Sequence, residues 1–302
     1  MRRILVTGIS GFIGSCISPA IKGAGFEVHA ISRGMKAQSA TGVVFHDADL
    51  DDTLQVRQLI DRLRPSHLLH LAWYAEPGLF WRSPENVKWV EKSLALLKAF
   101  AESGGERAVF AGTCAEYTWG APKMIELVTP CEPATLYGIA KDSLRRVAEA
   151  YSQSIGVEFA WGRIFFLYGP GEKPGRLVSD AIRSILDKKP FATTDGRHRR
   201  DYMHVHDVAG AFAALCESSI VGPVNIGSGN ALPIRAILTE IAEQLGGTQF
   251  LQFGARPLSE TEPEIIEADV GRLEKTGFVP RFDLKRGIAD AIAWWTRQLP
   301  AL

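Results

Sequence analysis

Along the first half of the chain, apolar residues gather in short unbroken runs, and longer stretches with helical spacing separate them. The runs are RILVTG (3–8), EVHAIS (27–32), GVVFHD (42–47), HLLHLA (67–72), RAVFAG (107–112) and VEFAWGRI (157–164). Between them the spacing predicts helices over 12–23, 53–63, 85–102 and 136–154. Strands that alternate with helices of ten or more residues predict an α/β fold, a doubly wound parallel sheet of the Rossmann type. The strands are apolar throughout, as burial on both faces requires.

After Arg163 the rhythm changes. Gly and Pro cluster in LYGPGEKPG, and shorter helical patterns follow near 176–188, 207–218, 233–245 and 284–298. This predicts a nucleotide-binding domain over 1–165, joined by about 201–226, and a smaller α/β lobe from 166–200 and 227–302. No repeat of 20–50 residues is visible.

VTGISGFIG places Gly8, Gly11 and Gly14 between the first strand and the first helix. Glycine permits the tight turn, lets backbone N–H groups approach a pyrophosphate, and leaves the helix N-terminus facing the anion. The expected cofactor contacts are Gly8, Ser10, Gly11, Phe12, Ile13 and Gly14. The second strand ends in Ser32 and Arg33 rather than a carboxylate, and Glu27 lies at its start. A hydroxyl and a guanidinium there suit a 2′-phosphate, so NADP(H) is expected ahead of NAD(H). Asp49 and Leu50, after the third strand, are candidates for the adenine edge, or form the turn into the next helix.

TLYGIAKDSL (135–144) puts Tyr137 and Lys141 four residues apart on one helical face. The strand before that helix ends at Thr113, and in such sheets ligands bind at the carboxyl ends of strands. An unperturbed phenol has a pKa of about 10, and a neighbouring ammonium favours its ionised form. Thr113, Tyr137 and Lys141 thus form a candidate set for moving a carbonyl or alcohol proton.

TGISGFIG, DADLDD, HLAW, the Thr113 segment, YGIAK, RIFFLYGPG, RRDYMHVHDVA and NIGSG follow one another over residues 7–229. In that order they resemble the extended short-chain dehydrogenase/reductase family, in its sugar-nucleotide epimerase/dehydratase/reductase branch. The resemblance implies Tyr137 as proton donor or acceptor, Lys141 as its partner and ribose contact, and Thr113 as binder of the substrate oxygen. It adds Leu71 and Ala72 to the cofactor contacts. It also implies a nucleoside-diphosphate-sugar site in the C-terminal lobe, with Arg200 and Arg256 on the diphosphate. Arg200 has an alternative reading as an ion pair with Asp201 or Asp207. The resemblance further implies a homodimer through the helices at 85–102 and 136–154, although Val90, Leu94 and Leu97 suit packing on the sheet equally.

Departures from the family pattern narrow the chemistry. The dehydratases of this branch follow the threonine with an Asp–Glu pair, whereas Cys114 and Ala115 stand here. Glu116 comes one residue later and would point to the opposite side of a continuing strand. Phe166 stands where many members carry a phosphate-binding Asn. GTCAEYTWG and GRIFFLYGPGE most resemble ketoreductases of nucleotide-activated 4-keto-6-deoxyhexoses, so NADPH-dependent ketone reduction is the expected activity. A nucleotide-sugar epimerase is the alternative, and a non-catalytic NADP-binding protein a third reading.

Trp73, Tyr74, Phe80, Trp81 and Trp119 are expected either on the sugar or over a core edge. His204 and His206 have a metal-like spacing, but HVHDVA reads as strand, so no metal is expected. Lys+Arg and Asp+Glu both number 34, which argues against a nucleic-acid surface. The cysteines Cys16, Cys114, Cys131 and Cys216 show no CxxC spacing. Cys114 reads as a small buried neighbour of Thr113. MRRILVTG lacks a signal-peptide pattern and no run approaches a membrane span, so a cytoplasmic protein without membrane contact is expected.

Overall fold

The computed structural model describes residues 2–34, 42–258 and 262–298. Seven parallel strands form the main sheet. They are β1 (Arg3–Thr7), β2 (Glu27–Ser32), β3 (Val43–Asp47), β4 (His67–His70), β5 (Arg107–Thr113), β6 (Glu158–Ile164) and, after three short strands described below, β10 (Gly222–Ile226). Their spatial order is β3-β2-β1-β4-β5-β6-β10. The order reverses beside β1, where β4 pairs on the other side from β2, and this opens a crevice at the strands' carboxyl ends.

Alternate residues of the strands feed two apolar layers. Ile4 and Val6 join the layer under α1 (Gly14–Gly23) and, later in the chain, α6 (Val205–Glu217). Leu5 joins the opposite layer, with α2 (Thr53–Leu63), α3 (Glu85–Glu102) and α4 (Leu136–Ile155). Leu97 is buried there and Val90 and Leu94 pack against it, so these three face the sheet. The helix ends follow local chemistry. The Asp52 side chain accepts from the Gln55 N–H at the start of α2, Thr135 does the same for Gly138 in α4, and Gly156 closes α4 with a left-handed φ of 76°.

The remaining strands are short: β7 (Phe166–Tyr168), β8 (Phe191–Ala192), β9 (Arg199–His204), β11 (Ala231–Pro233), β12 (Leu251–Gln252) and β13 (Ile265–Ile266). β9 is the hub. It pairs with β7 and β13 in parallel and with β11 in antiparallel fashion. α5 (Leu177–Leu186), α7 (Ile234–Gln244) and α9 (Leu284–Gln298) pack a separate apolar cluster, and the short α8 (Gly271–Glu274) follows β13. Thus β9 lies in the small sheet, although the sequence pattern groups residues from 201 onward with the nucleotide domain. α6 and β10 do pack with the main sheet. His206 sits in the first turn of α6, not in a strand, and the His204 side chain caps that helix. Among the described residues, no helix is long and apolar enough to cross a membrane.

A buried ion pair ties the ends of β5 and β6 together. Arg163, at the end of β6, donates through Nε to Glu116 Oε2 at 2.7 Å, and the two side chains are 1% and 0% exposed. Glu116 also accepts from Trp161 Nε1 at 2.9 Å and from the Thr113 backbone N–H at 2.8 Å. The other end of the guanidinium reaches the Glu126 carbonyl and Cys131 Sγ. The Tyr117 ring lies 4.4 Å from the same guanidinium, and its hydroxyl donates to Asn225 Oδ1 in β10 at 2.7 Å. Asn225 in turn donates to the carbonyls of Met124 and Asp269. Removing one member of a buried pair leaves the other charge without compensation. Glu116→Ala is therefore expected to cost about 3–5 kcal/mol, seen as a lower urea midpoint, and Glu116→Gln with Arg163→Met in one chain should cost less than Glu116→Ala alone.

Candidate active site

The glycine turn leaves β1 at Gly8, whose φ is 76°. A Cβ there would stand 2.6 Å from the Ala72 nitrogen, so the turn lies directly against the end of β4. Gly14 opens α1, and a Cβ on it would meet the Gly8 carbonyl oxygen at 2.0 Å. Only glycine closes this turn. α1 begins without a side-chain cap and without an acid in its first turn. The Ser15 and Cys16 N–H groups donate to the Gly11 and Ile13 carbonyls, and no side chain offsets the positive end of the helix dipole, which fits a pyrophosphate. Ser10, Gly11, Phe12 and Ile13 lie in the turn between them, and Leu71 and Ala72 line its other wall.

Below the turn, Thr7 Oγ1 and His70 Nδ1 are 2.6 Å apart, and His70 Nε2 lies 2.8 Å from Ser93 Oγ. Ser93 spends its proton on the Trp89 carbonyl, so His70 must donate through Nε2 and accept from Thr7. Burial pushes the imidazole down to about 3, which keeps it neutral. This chain ties β1, β4 and α3 together at the crevice floor.

At the end of β2, Ser32 is buried and Arg33 is exposed. Arg33 reaches towards Asp49 at 3.9 Å, so two of the expected cofactor residues face each other. Asp49 also takes the Asp51 N–H, and Leu50 packs against the lower apolar layer. Asp47 accepts from the Gly34 N–H and shapes the loop after β2.

Thr113, Tyr137 and Lys141 converge at the end of β5. The strand stops at Thr113 because residues Cys114–Glu116 turn into a single 3-10 turn, which the Thr113 side chain caps and Glu116 closes in reciprocal fashion. Glu116 is thereby directed into the protein and onto Arg163, away from the reacting end; a turn, not a continuing strand, sets its direction. Cys114 is buried, and burial raises its thiol to about 12. The first turn of α4 rests on this 3-10 turn. A Cβ on Gly138 would meet the Ala115 carbonyl at 2.5 Å, so Gly138 permits the approach that brings Tyr137 to Thr113.

Tyr137 is half-buried between Phe80 and Trp81, whose rings meet it edge-on at 4.8 and 5.7 Å. The Trp81 carbonyl accepts the Tyr137 N–H. Burial drives the phenol well above its ordinary range, and a hydrogen bond with Thr113 and the Arg176 guanidinium oppose it. Lys141 is 4% exposed and donates to the Ala111 carbonyl at 2.8 Å. Burial pushes its ammonium down to about 7, against the pull of Glu116.

Arg176 escaped the sequence reading. It precedes α5 in the Gly/Pro-rich loop, and its guanidinium lies 5.3 Å from the Phe80 ring on the reacting side. Among the described residues it forms no ion pair. No local sequence signal marks it, because only the packing of the loop brings it to Tyr137. Glu172, four residues earlier, accepts the Ser179 N–H, and burial raises its carboxyl to about 8.

Arg200 is buried and meets neither Asp201 nor Asp207. It donates to Glu262 Oε1 at 2.6 Å and lies over the Phe166 ring at 5.8 Å. Asp201 instead takes the N–H groups of Ser228, Gly229 and Ala268, and Asp207 those of Arg281 and Phe282. Arg256 is exposed on the loop after β12, where its N–H donates to the Thr193 carbonyl. Trp119 is exposed, whereas Phe80 is buried and Trp73 packs on Lys141.

The geometry matches known proteins throughout its length. A UDP-glucose 4-epimerase of Streptomyces lividans is 28% identical over 97% of this chain and 95% of its own length. UDP-glucuronic acid decarboxylase 1 of Arabidopsis thaliana is 25% identical over 96% of this chain and 69% of its own. The solved UDP-glucose 4-epimerase of Thermus thermophilus, in complex with NAD, superposes with a TM-score of 0.85 at 27% identity, covering 98% of this chain and all of that one. Residues 4–227 match the family described as NAD dependent epimerase/dehydratase. With a glycine turn at the sheet's switch point and a Thr–Tyr–Lys set at the end of β5, the chain belongs to that NAD-dependent epimerase/dehydratase family.

Proposed function

We propose that the protein inverts a hydroxyl-bearing carbon of a nucleoside-diphosphate sugar, as a nucleotide-sugar 4-epimerase with NAD as resident cofactor. The observation that carries this reading is the convergence of Thr113, Tyr137 and Lys141 at the mouth of an uncapped, glycine-lined helix start. The named relatives, matched over nearly the whole chain, support an epimerase ahead of the 4-keto-6-deoxyhexose reductase that GTCAEYTWG suggested. NAD held through its pyrophosphate at the glycine turn would supply a reversible hydride acceptor.

The chain's own residues handle the proton. Tyr137, as the phenolate, would take the hydroxyl proton as the C–H bond breaks, becoming the phenol, and would return it when the sugar carbon is reduced from its other face. Thr113 accepts from the Ala115 N–H and hydrogen-bonds Tyr137, so its hydroxyl stands beside the phenol that meets the substrate oxygen. Lys141 and Arg176 supply positive charge that favours the phenolate. Epimerisation needs no further acid, which accords with the commitment of Glu116 to Arg163. We assign residues 1–165 with about 205–226, the part of the expected 201–226 segment beyond β9, to the cofactor and the remaining segments to the sugar nucleotide. Arg200 would hold the diphosphate by exchanging Glu262 for it, and Arg256 offers a second cation on the same lobe. Exposed Val87, Ile139 and Val147 on α3 and α4 leave room for a homodimer.

Incubation with UDP-glucose, UDP-galactose and UDP-glucuronic acid, with NAD present and products read by NMR, tests the reading. Either UDP-glucose and UDP-galactose should interconvert, or UDP-glucuronic acid should equilibrate with its C4 epimer, without net cofactor turnover, and three unchanged sugars would count against it. Tyr137→Phe should lower that turnover by about 10²–10⁴-fold while bound NAD, measured in the released supernatant, stays unchanged.

A second reading rests on the end of β2. Ser32 and Arg33 stand there without a carboxylate, which favours a 2′-phosphate and hence NADPH-dependent ketone reduction. It predicts steady loss of NADPH absorbance with a nucleoside-diphosphate 4-keto-6-deoxyhexose, and tighter binding of NADP than NAD that Arg33→Ala abolishes.

A further inference from the structure

We propose that Trp73 is a positioning residue for Lys141: its indole, locked in place by Asn86, is the surface that holds the lysine ammonium charged inside the protein. The Trp73 ring centroid lies 3.7 Å from Lys141 Nζ, and the Trp161 ring lies further off at 5.8 Å. An ammonium has three N–H donors, and among the described residues the one acceptor it reaches is the Ala111 carbonyl. Among the same residues no carboxylate forms an ion pair with it. Glu116 acts on it only at a distance, because both its oxygens are committed to Arg163, Trp161 and the Thr113 N–H. The negative face of the indole is therefore the nearest compensation for a charge removed from water.

That ring cannot turn away. Trp73 Nε1 donates to Asn86 Oδ1 at 2.9 Å, and Asn86 is fully buried. Asn86 Nδ2 donates in turn to the carbonyls of Phe80 at 2.7 Å and Ser83 at 2.9 Å. One amide thus locks the surface under the lysine and also closes the loop whose Phe80 and Trp81 rings wall the Tyr137 phenol. Both reactive side chains are framed by a segment that contributes no atom to the proton transfer. The titratable groups facing Lys141 are Glu116 from the turn after β5, His70 from the end of β4, and Tyr137 one turn back on its own helix. His70 is neutral, so Glu116 is the one charge among them.

The inference does not depend on which sugar is bound, and its test needs none. Protein carrying [6-13C]lysine is titrated by NMR, with the Lys141 signal identified by its loss in Lys141→Met. The wild-type signal should titrate near 7. Trp73→Leu should move the midpoint down by about one pH unit, tenfold in the acidity constant, as loss of a desolvated cation–π contact implies. Trp73→Phe, which keeps a smaller ring, should fall between the two. A ring that merely seals the site gives the opposite sign, because a smaller side chain admits water and lifts the midpoint towards that of an ordinary lysine. An unchanged or raised midpoint in Trp73→Leu overturns the proposal, as does Trp73→Phe coinciding with Trp73→Leu. If Trp73→Leu does not fold, Trp73→Phe decides by the direction of its own shift.

Discussion

The Glu116–Arg163 ion pair is the contact on which the rest of the structure depends. It is dry, so neither charge is tolerable without the other. Its hydrogen bonds run into three segments that are distant in sequence: the end of β5 with the loop that follows it to residue 131, the end of β6, and, through Tyr117 and Asn225, β10. Because Glu116 reaches back to the Thr113 N–H, the same pair ends β5 where it does and turns the chain into the 3-10 turn on which α4 rests. The position of Tyr137 relative to Thr113 is inherited from that turn through Gly138.

Around this point the protein separates two kinds of polar burial. Glu116, Arg163, Asp201 and Asn225 are saturated with partners and hold segments together. Lys141, Tyr137, Glu172 and Arg176 are incompletely paired and lie along the crevice. Burial pushes the lysine down and the tyrosine up, each towards its neutral form. Groups perturbed in this way and gathered in one cleft are where proton-transfer chemistry is expected, and the saturated set beneath them supplies rigidity.

The small C-terminal lobe is joined to this centre through β9. Within six residues it places Arg200 against Glu262, Asp201 under the Ser228–Gly229 turn, and His204 at the start of α6, which packs back on the main sheet. Since β9 pairs in the small sheet while α6 leaves it for the large one, the chain passes from one lobe to the other without a flexible linker.

The strand–helix alternation, the glycine turn and the Tyr137–Lys141 spacing were legible in the sequence, because each is set by interactions within a few residues: period, backbone freedom, and one helical turn. The direction of Glu116 was not legible, since its partner lies 47 residues away and decides whether the strand continues. Nor was Arg200's attachment to Glu262, 62 residues on, nor the approach of Arg176 to Tyr137. Trp73 shows the division most sharply. The sequence set an aromatic residue after the fourth strand; only the fold, by burying Asn86 behind it and Lys141 in front of it, made that ring the seat of a charge. Local geometry follows from the chain's own stereochemistry, but the partner of a buried charge is chosen by which segments the core brings together.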